Sequence, residues 1–353
     1  MARTTVHFAT NREEKIENGQ VVDFTHQLNP KSPVWLRYGA ADMAKGRKSA
    51  PAFDVAELRV AAEQIPSPAA EPEDAHRVLG SELVFEGLRL RLIENDADLL
   101  LLLHGYACTF PEALSNAAEL KSQWATAATP LETAVFSWPA NGTLTPWLDY
   151  ASDRDDARAS AKAIARSLER LMDYLGQLKR ADWCKADIHL VAHSMGNYAL
   201  RNALQALLSN HGGRPLPRLF KNIFLMAADE DNDAFEHDSK LARLPELAET
   251  VHVYFAGNDR ALTISDKSKG NPDRLGSTGP RTLTALPQKV SLVDCSEVSD
   301  TRSITDVGHQ YYRKRAEVLA DVRQILDGKR PEQVTGREWV PARACFRIRP
   351  RRG

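Results

Sequence analysis

The run Ile188-His189-Leu190-Val191-Ala192-His193-Ser194-Met195-Gly196-Asn197-Tyr198-Ala199-Leu200 passes from an apolar strand pattern into a small-residue helix, with a serine at the join. A serine hydroxyl is a poor nucleophile unless geometry and neighbours raise its reactivity, and a sharp strand-to-helix turn lifts it clear of a sheet. Ser194 is therefore the candidate nucleophile. The same turn aims the first amides of the new helix at the reaction centre, so the N–H of Met195 is placed to meet negative charge on a reacting oxygen. The pattern Ala192-x-Ser194-x-Gly196 differs from G-x-S-x-G by one methyl group, and small residues suit a place where strand and helix pass closely. Read locally, the pentapeptide also suits an ordinary serine N-cap.

The elements that must position such a serine fit the length of the chain. Its 353 residues, with a formal net charge of −1 and 43% apolar residues, allow one large α/β domain with extensions. That charge balance gives no sign of nucleic acid as a partner. The first eight residues lack the apolar run of a secretory signal, and apolar stretches such as Leu99 to Leu103 are far too short to span a bilayer. A soluble, cytoplasmic protein with no integral membrane segment is expected. Cys108, Cys184, Cys295 and Cys345 show no C-x-x-C spacing, so neither a metal site nor a disulfide framework is implied, and no cofactor is expected.

Strand and helix patterns alternate along the chain. Thr4 to Phe8 suits a short strand, and prolines at 51, 66, 68 and 72 favour extended or loose backbone before the core begins. Leu83 to Leu92 alternates with charged residues and reads as a strand with one wet face; Leu99 to Leu103 reads as a strand buried on both faces. Helices are expected over Pro111 to Thr126, Asp153 to Leu178 and the stretch after Ser194, with Asp153, Asp155 and Asp156 at the positive end of the middle one. Further strands fall at Thr133 to Pro139, Phe220 to Met226, Val251 to Phe255 and Lys289 to Val293, and a last helix ends at Gly328. The expected fold is α/β, a mostly parallel central sheet with helices on both faces. An N-terminal extension over 1–80, a core domain over 81–328 and a basic tail over 329–353 divide the chain. The tail, with eight basic residues against two acidic, reads as a solvated strap.

Ala192-His193-Ser194-Met195-Gly196 resembles the elbow of some bacterial lipases of the α/β-hydrolase superfamily. In that superfamily a backbone N–H after an early strand completes an oxyanion hole and the triad follows the order Ser, Asp, His. His104-Gly105-Tyr106 ends the Leu99 strand, so Tyr106 is the expected second oxyanion donor. His104 and His193 are poor base candidates, one on the wrong strand and one flanking the nucleophile. His309, after the last strand, is the expected base, able to accept the serine proton at neutral pH. Two aspartates compete for the acid that orients it. Asp259 is preferred because its loop precedes the His309 strand in the required order, and Asp229 is the alternative. The acidic run from Asp229 to Asp233 also suits a cation, although a solvated loop is the simpler reading. Trp138, Trp147 and Tyr150 follow a strand end and are candidates for a substrate pocket, each equally suited to packing; Ala140 to Ser152 and Leu262 to Gln288 are the expected cap.

As an ordered set, Phe8-Ala9-Thr10-Asn11-Arg12, His104-Gly105-Tyr106, Phe136-Ser137-Trp138-Pro139, the Ser194 elbow, Ala228-Asp229, Asp259-Arg260-Ala261-Leu262, Arg274-Leu275-Gly276 and Gly308-His309-Gln310-Tyr311-Tyr312 resemble the DUF900 family of α/β-hydrolases over residues 4–327. The resemblance implies an α/β-hydrolase fold and a serine hydrolase centre with Ser194, Asp259 and His309 on the matching positions. The expected activity is carboxylic ester hydrolysis through an acyl-enzyme on a small-molecule ester. A lipase or phospholipase on lipid-like esters, and a non-catalytic binding protein on the same scaffold, are the competing readings.

Overall fold

The computed structural model describes residues 3–46, 51–61, 79–142, 148–262, 273–284, 286–299 and 308–350. The chain opens with β1 (Arg3–Thr10), the hairpin β2 (Arg12–Glu17) and β3 (Gln20–Leu28), then β4 (Arg37–Lys45) and β5 (Phe53–Ala61). There follow α1 (Gly80–Glu94), β6 (Asp98–Leu103), α2 (Phe110–Trp124), β7 (Leu131–Ser137), α3 (Leu148–Ala159), α4 (Ala161–Gln177), β8 (Ile188–His193) and α5 (Gly196–Asn210). The last strands are β9 (Phe220–Met226), β10 (Ala248–Phe255), β11 (Val290–Asp294), β12 (Arg337–Val340) and β13 (Cys345–Ile348), with the helix Ala316–Leu326 before the final two.

Among the described residues eleven strands form one sheet in the order β12-β13-β11-β10-β9-β8-β6-β7-β1-β4-β5. From β13 through β1 every neighbouring pair is parallel, and the antiparallel pairs lie at the two margins. The central strands read as continuous apolar runs because both of their faces are covered. Alternate side chains take opposite faces: Leu103, Leu190, Ala192, Ile223 and Val253 join α4 and α5 in one core. Leu100, Leu102, Val191, Phe224 and Tyr254 join α2 and the Ala316–Leu326 helix in the other. The chain leaves β6 towards β7 on one side and returns through α3 and α4 to β8 on the other. The carboxyl ends of β6 and β8 therefore flank a topological switch point, where a crevice opens in such sheets.

Three expectations are corrected. Leu83 to Leu92 is helical, within α1, because only Leu88 and Leu92, one helical turn apart, are buried while Leu90 is exposed; a strand would have buried all three on one side. The Asp153 to Leu178 segment is two helices, divided at the buried Ser160, whose hydroxyl accepts from Asn11 Nδ2 at 2.9 Å. Asp153 lies inside α3, fully buried, rather than at a helix start. The basic tail also carries strand structure: β13 pairs with β11, and β12 with β13. Among the described residues no helix is long and apolar enough to cross a membrane.

A buried ion pair fastens that tail. Arg337 grips Asp321 with Nε at 2.6 Å and Nη2 at 2.7 Å, and Tyr254 of β10 donates to the same carboxylate at 2.6 Å. Leaving the guanidinium buried without its carboxylate is strongly unfavourable. Asp321→Ala is therefore expected to lower unfolding free energy by about 3–5 kcal/mol, and Asp321→Asn by less. Urea unfolding at neutral pH measures both.

Candidate active site

The turn from β8 into α5 is sharp because Ser194 takes a left-handed backbone with φ of 53°. A non-glycine residue held there stores of order 1 kcal/mol or more, and such strain concentrates at functional positions. Four contacts fix the turn. Ser194 N donates to Met226 O of β9 at 3.0 Å, Asn197 Nδ2 donates to Ala192 O and to Ser194 O at 3.0 Å each, and Asp229 N donates to Ser194 O at 3.1 Å. Gly196 lets the helix start against the end of β6: a Cβ there would lie 2.4 Å from Leu103 O and 2.6 Å from His104 O. Gly105 does the same for the following loop, since a Cβ on it would sit 3.0 Å from the Cβ of Ser194. Met195 is buried at the head of α5, and Tyr106, next to Gly105, is partly exposed.

His309 and Asp259 are brought together. Asp259, fully buried after β10, accepts from His309 Nδ1 through Oδ2 at 2.7 Å, and its Oδ1 accepts the amides of Ala261 at 3.0 Å and Leu262 at 3.3 Å. The His309 loop is pinned beyond the imidazole. Tyr311 donates its hydroxyl to Tyr254 O at 2.8 Å and accepts from Ala227 N at 3.0 Å, so it joins the ends of β10 and β9. Gly308, at φ of 78°, supplies the left-handed step before the histidine. The imidazole lies over His193, the neighbour of Ser194, with ring centroids 4.8 Å apart, and the main-chain carbonyl of His309 is 3.3 Å from His193 Nε2.

The other two histidines near the site are buried and neutral. Burial holds His193 well below the ordinary imidazole range. Burial likewise drives His104 down to about 3, with the Arg12 charge adding to the effect. His104 donates from Nδ1 to Gly105 O at 3.0 Å, and its own carbonyl accepts the Trp138 indole N–H at 3.0 Å under a stacked ring pair. Trp138 is fully buried in this contact. Trp147 lies outside the described residues. Tyr150 sits 5.8 Å from Tyr106, ring to ring, and donates to Asp229 Oδ2 at 2.5 Å.

Asp229, the competing acid, is thus engaged elsewhere, with Arg274 Nε 3.4 Å and Arg154 Nη1 4.0 Å from its carboxylate. The acidic run is laced to cations: Glu230 to Arg201 at 2.9 Å, Asp231 to Arg274 at 2.6 Å and to Lys240 at 2.9 Å, and Asp233 to the same lysine. Sequence reasoning gave no bracing contact at the site to Asn197 or Tyr311, which hold the two loops, nor to Arg12 and Asp153, both buried beside the Tyr106 turn.

A largely parallel, doubly covered sheet with a left-handed serine at a strand-to-helix turn defines an α/β-hydrolase. The chain belongs to the family described as alpha/beta hydrolase of unknown function (DUF900), whose match covers residues 86–330. Membership suggests hydrolase activity. The chain is also similar to an uncharacterized protein of Nostoc sp. (strain PCC 7120), 39% identical over 74 residues, which are 21% of this chain and 16% of that protein. It therefore matches well under two thirds of that relative's length.

Two outcomes follow from this packing. Gly196→Ala forces a methyl against main-chain oxygens and is expected to cost about 1–3 kcal/mol. Gly87→Ala, in open space on α1, is expected to gain about 0.4–1 kcal/mol, and the two melts side by side measure the contrast. The second outcome concerns pH. His104 stays neutral when folded down to about 3 but takes a proton below 6.5 when unfolded, so its burial lowers stability as pH falls through that window. Between pH 7 and pH 5 the loss from this residue is about 2 kcal/mol, and His104→Asn, which keeps a donor, should remove that part of the slope in denaturant titrations.

Proposed function

We propose that this chain is a serine hydrolase that cleaves carboxylic esters of small molecules through an acyl-enzyme. The observation that carries the reading is the strained Ser194 at the elbow together with the His309–Asp259 pair at 2.7 Å beside it. Ser194 Oγ bonds to the substrate carbonyl carbon as its proton passes to His309 Nε2. Asp259 holds the imidazole in the tautomer with Nδ1 protonated and stabilises the cation that forms. The carbonyl π pair moves onto oxygen, which lies between the amides of Met195 and Tyr106. Collapse breaks the bond to the alcohol, which leaves with the proton from His309. Water then repeats the sequence on the acyl group and frees Ser194.

Asp259 fits the acid role better than Asp229 because its remaining oxygen is held by two amides and its partner is the imidazole. The carboxylate of Asp229 is shared among a tyrosine and two arginines.

Native protein should react with a fluorophosphonate probe and hydrolyse p-nitrophenyl esters, with an acyl-length panel separating a small-ester enzyme from one that prefers long chains. Ser194→Ala should abolish labelling and lower kcat by about 10⁶. Asp259→Asn should lower kcat by about 10⁴, whereas Asp229→Asn should keep most activity. Labelling that survives Ser194→Ala, or the reverse ranking of the two aspartates, overturns the assignment.

A further inference from the structure

Two loops leave the carboxyl ends of neighbouring strands β6 and β7, and two buried ions of opposite sign hold both. Arg12, just past β1 and 1% exposed, donates from Nη2 to Cys108 O at 2.7 Å, from Nη1 to Ala140 O and Thr25 O at 3.2 Å each, and from Nε to Ser137 Oγ at 2.8 Å. Asp153 of α3, fully buried, accepts Ala107 N and Asn141 N at 2.9 Å each. The peptide unit between Ala140 and Asn141 is thus gripped at both poles, its carbonyl by the cation and its N–H by the anion. On the other loop the same two side chains hold the N–H of Ala107 and the carbonyl of Cys108.

Between those grips the chain is strained. Ala107 takes φ of 51°, a conformation that costs an alanine of order 1 kcal/mol or more. It directly follows Tyr106, and Gly105, on the other side of Tyr106, packs against the Cβ of Ser194. The direction of the Tyr106 amide is consequently set by a turn whose far end would relax if either ion were removed. Burying ions is a poor way to gain stability alone, because desolvation offsets most of the attraction. Burial in fact lowers Arg12 to about 10 and raises Asp153, each against the pull of the other. Four directed N–H donors and two acceptor oxygens do, however, fix a main chain more tightly than apolar packing can.

We infer that Arg12 and Asp153 are positioning residues for the proposed hydrolysis, clamping the His104–Cys108 turn so that the Tyr106 amide stays aimed at the reacting oxygen. The inference rests on the serine hydrolase reading. It also gives β1 a task in the site, although Arg12 lies outside the residues matched by the family.

The test uses the full chain, with active sites counted by a fluorophosphonate burst. It measures kcat and KM for p-nitrophenyl acetate and the affinity for a trifluoromethyl ketone, which Ser194 converts into an anionic adduct. Arg12→Met and Asp153→Asn should each lower kcat by about 30-fold or more, with KM within about twofold, and weaken the ketone by the same factor. Arg12→Lys, which keeps the charge and loses the fork, should fall between. Ser137→Ala removes one of the four Arg12 bonds and should give a smaller parallel loss of about twofold to fivefold; it decides the matter if the stronger variants do not fold. Arg337→Lys, at a side chain buried against Asp321 at the margin strand β12, should lower the unfolding midpoint and leave kcat per active site unchanged. Variants with native kcat and native ketone affinity that merely melt earlier, or with raised KM and intact kcat, overturn the inference. A native protein that neither turns over nor labels overturns the hydrolase reading itself, and the clamp with it.

Discussion

The backbone at Ser194 is the constraint on which the rest of the molecule depends. A chain that leaves a buried parallel strand and enters a helix within two residues must place one residue in the left-handed region and bring the new helix onto the neighbouring strand end. At that spacing no side chain fits at position 196, and Ala192 is fully buried. The strain is tolerated because both sides of the turn are over-determined: the ladder to β9 on one side, and the Asn197 amide and the Asp229 N–H on the other. A relaxed serine here would let the helix draw back from the ends of β6 and β8.

Around this turn, buried ions are matched mainly by peptide dipoles and less by opposite charges. Asp259 takes two amides in addition to the imidazole, Asp153 takes two amides, and Arg12 gives to three carbonyls and a hydroxyl. The arrangement suits a site where net charge must stay free to change during reaction, since a peptide unit orients a carboxylate without neutralising it. Farther out the rule reverses. The acidic run after β9 and the Asp321–Arg337 pair are compensated by full cations, where their task is to fasten loops and the tail.

The central strands and the elbow were legible in the sequence because two-sided burial erases polar alternation and leaves runs such as Asp98 to Leu103 and Phe220 to Met226. The His309–Asp259 contact was legible as an order of residues along the chain, not as a geometry; only the three-dimensional path of two loops sets its distance. Helix α1 was misread because its leucines at 88, 90 and 92 follow the strand period while 88 and 92 also lie one helical turn apart, and Glu86 with Arg89 completes the apparent alternation while pairing across a helical turn. Arg12 and Asp153 were invisible as partners of the site because their contacts are to main chain, which leaves no mark on the identity of the residue contacted.

The span of chain that meets at the site has a kinetic meaning. β1 is held between β4 and β7, with Thr10 bonded to Ser137 across 127 positions, and β13 pairs with β11 at the opposite flank. Arg12 therefore takes its place through pairings of high sequence separation, the kind that are slow to form. During synthesis the Ser194 turn emerges well before His309, so the two loops can meet only after most of the polypeptide has been made.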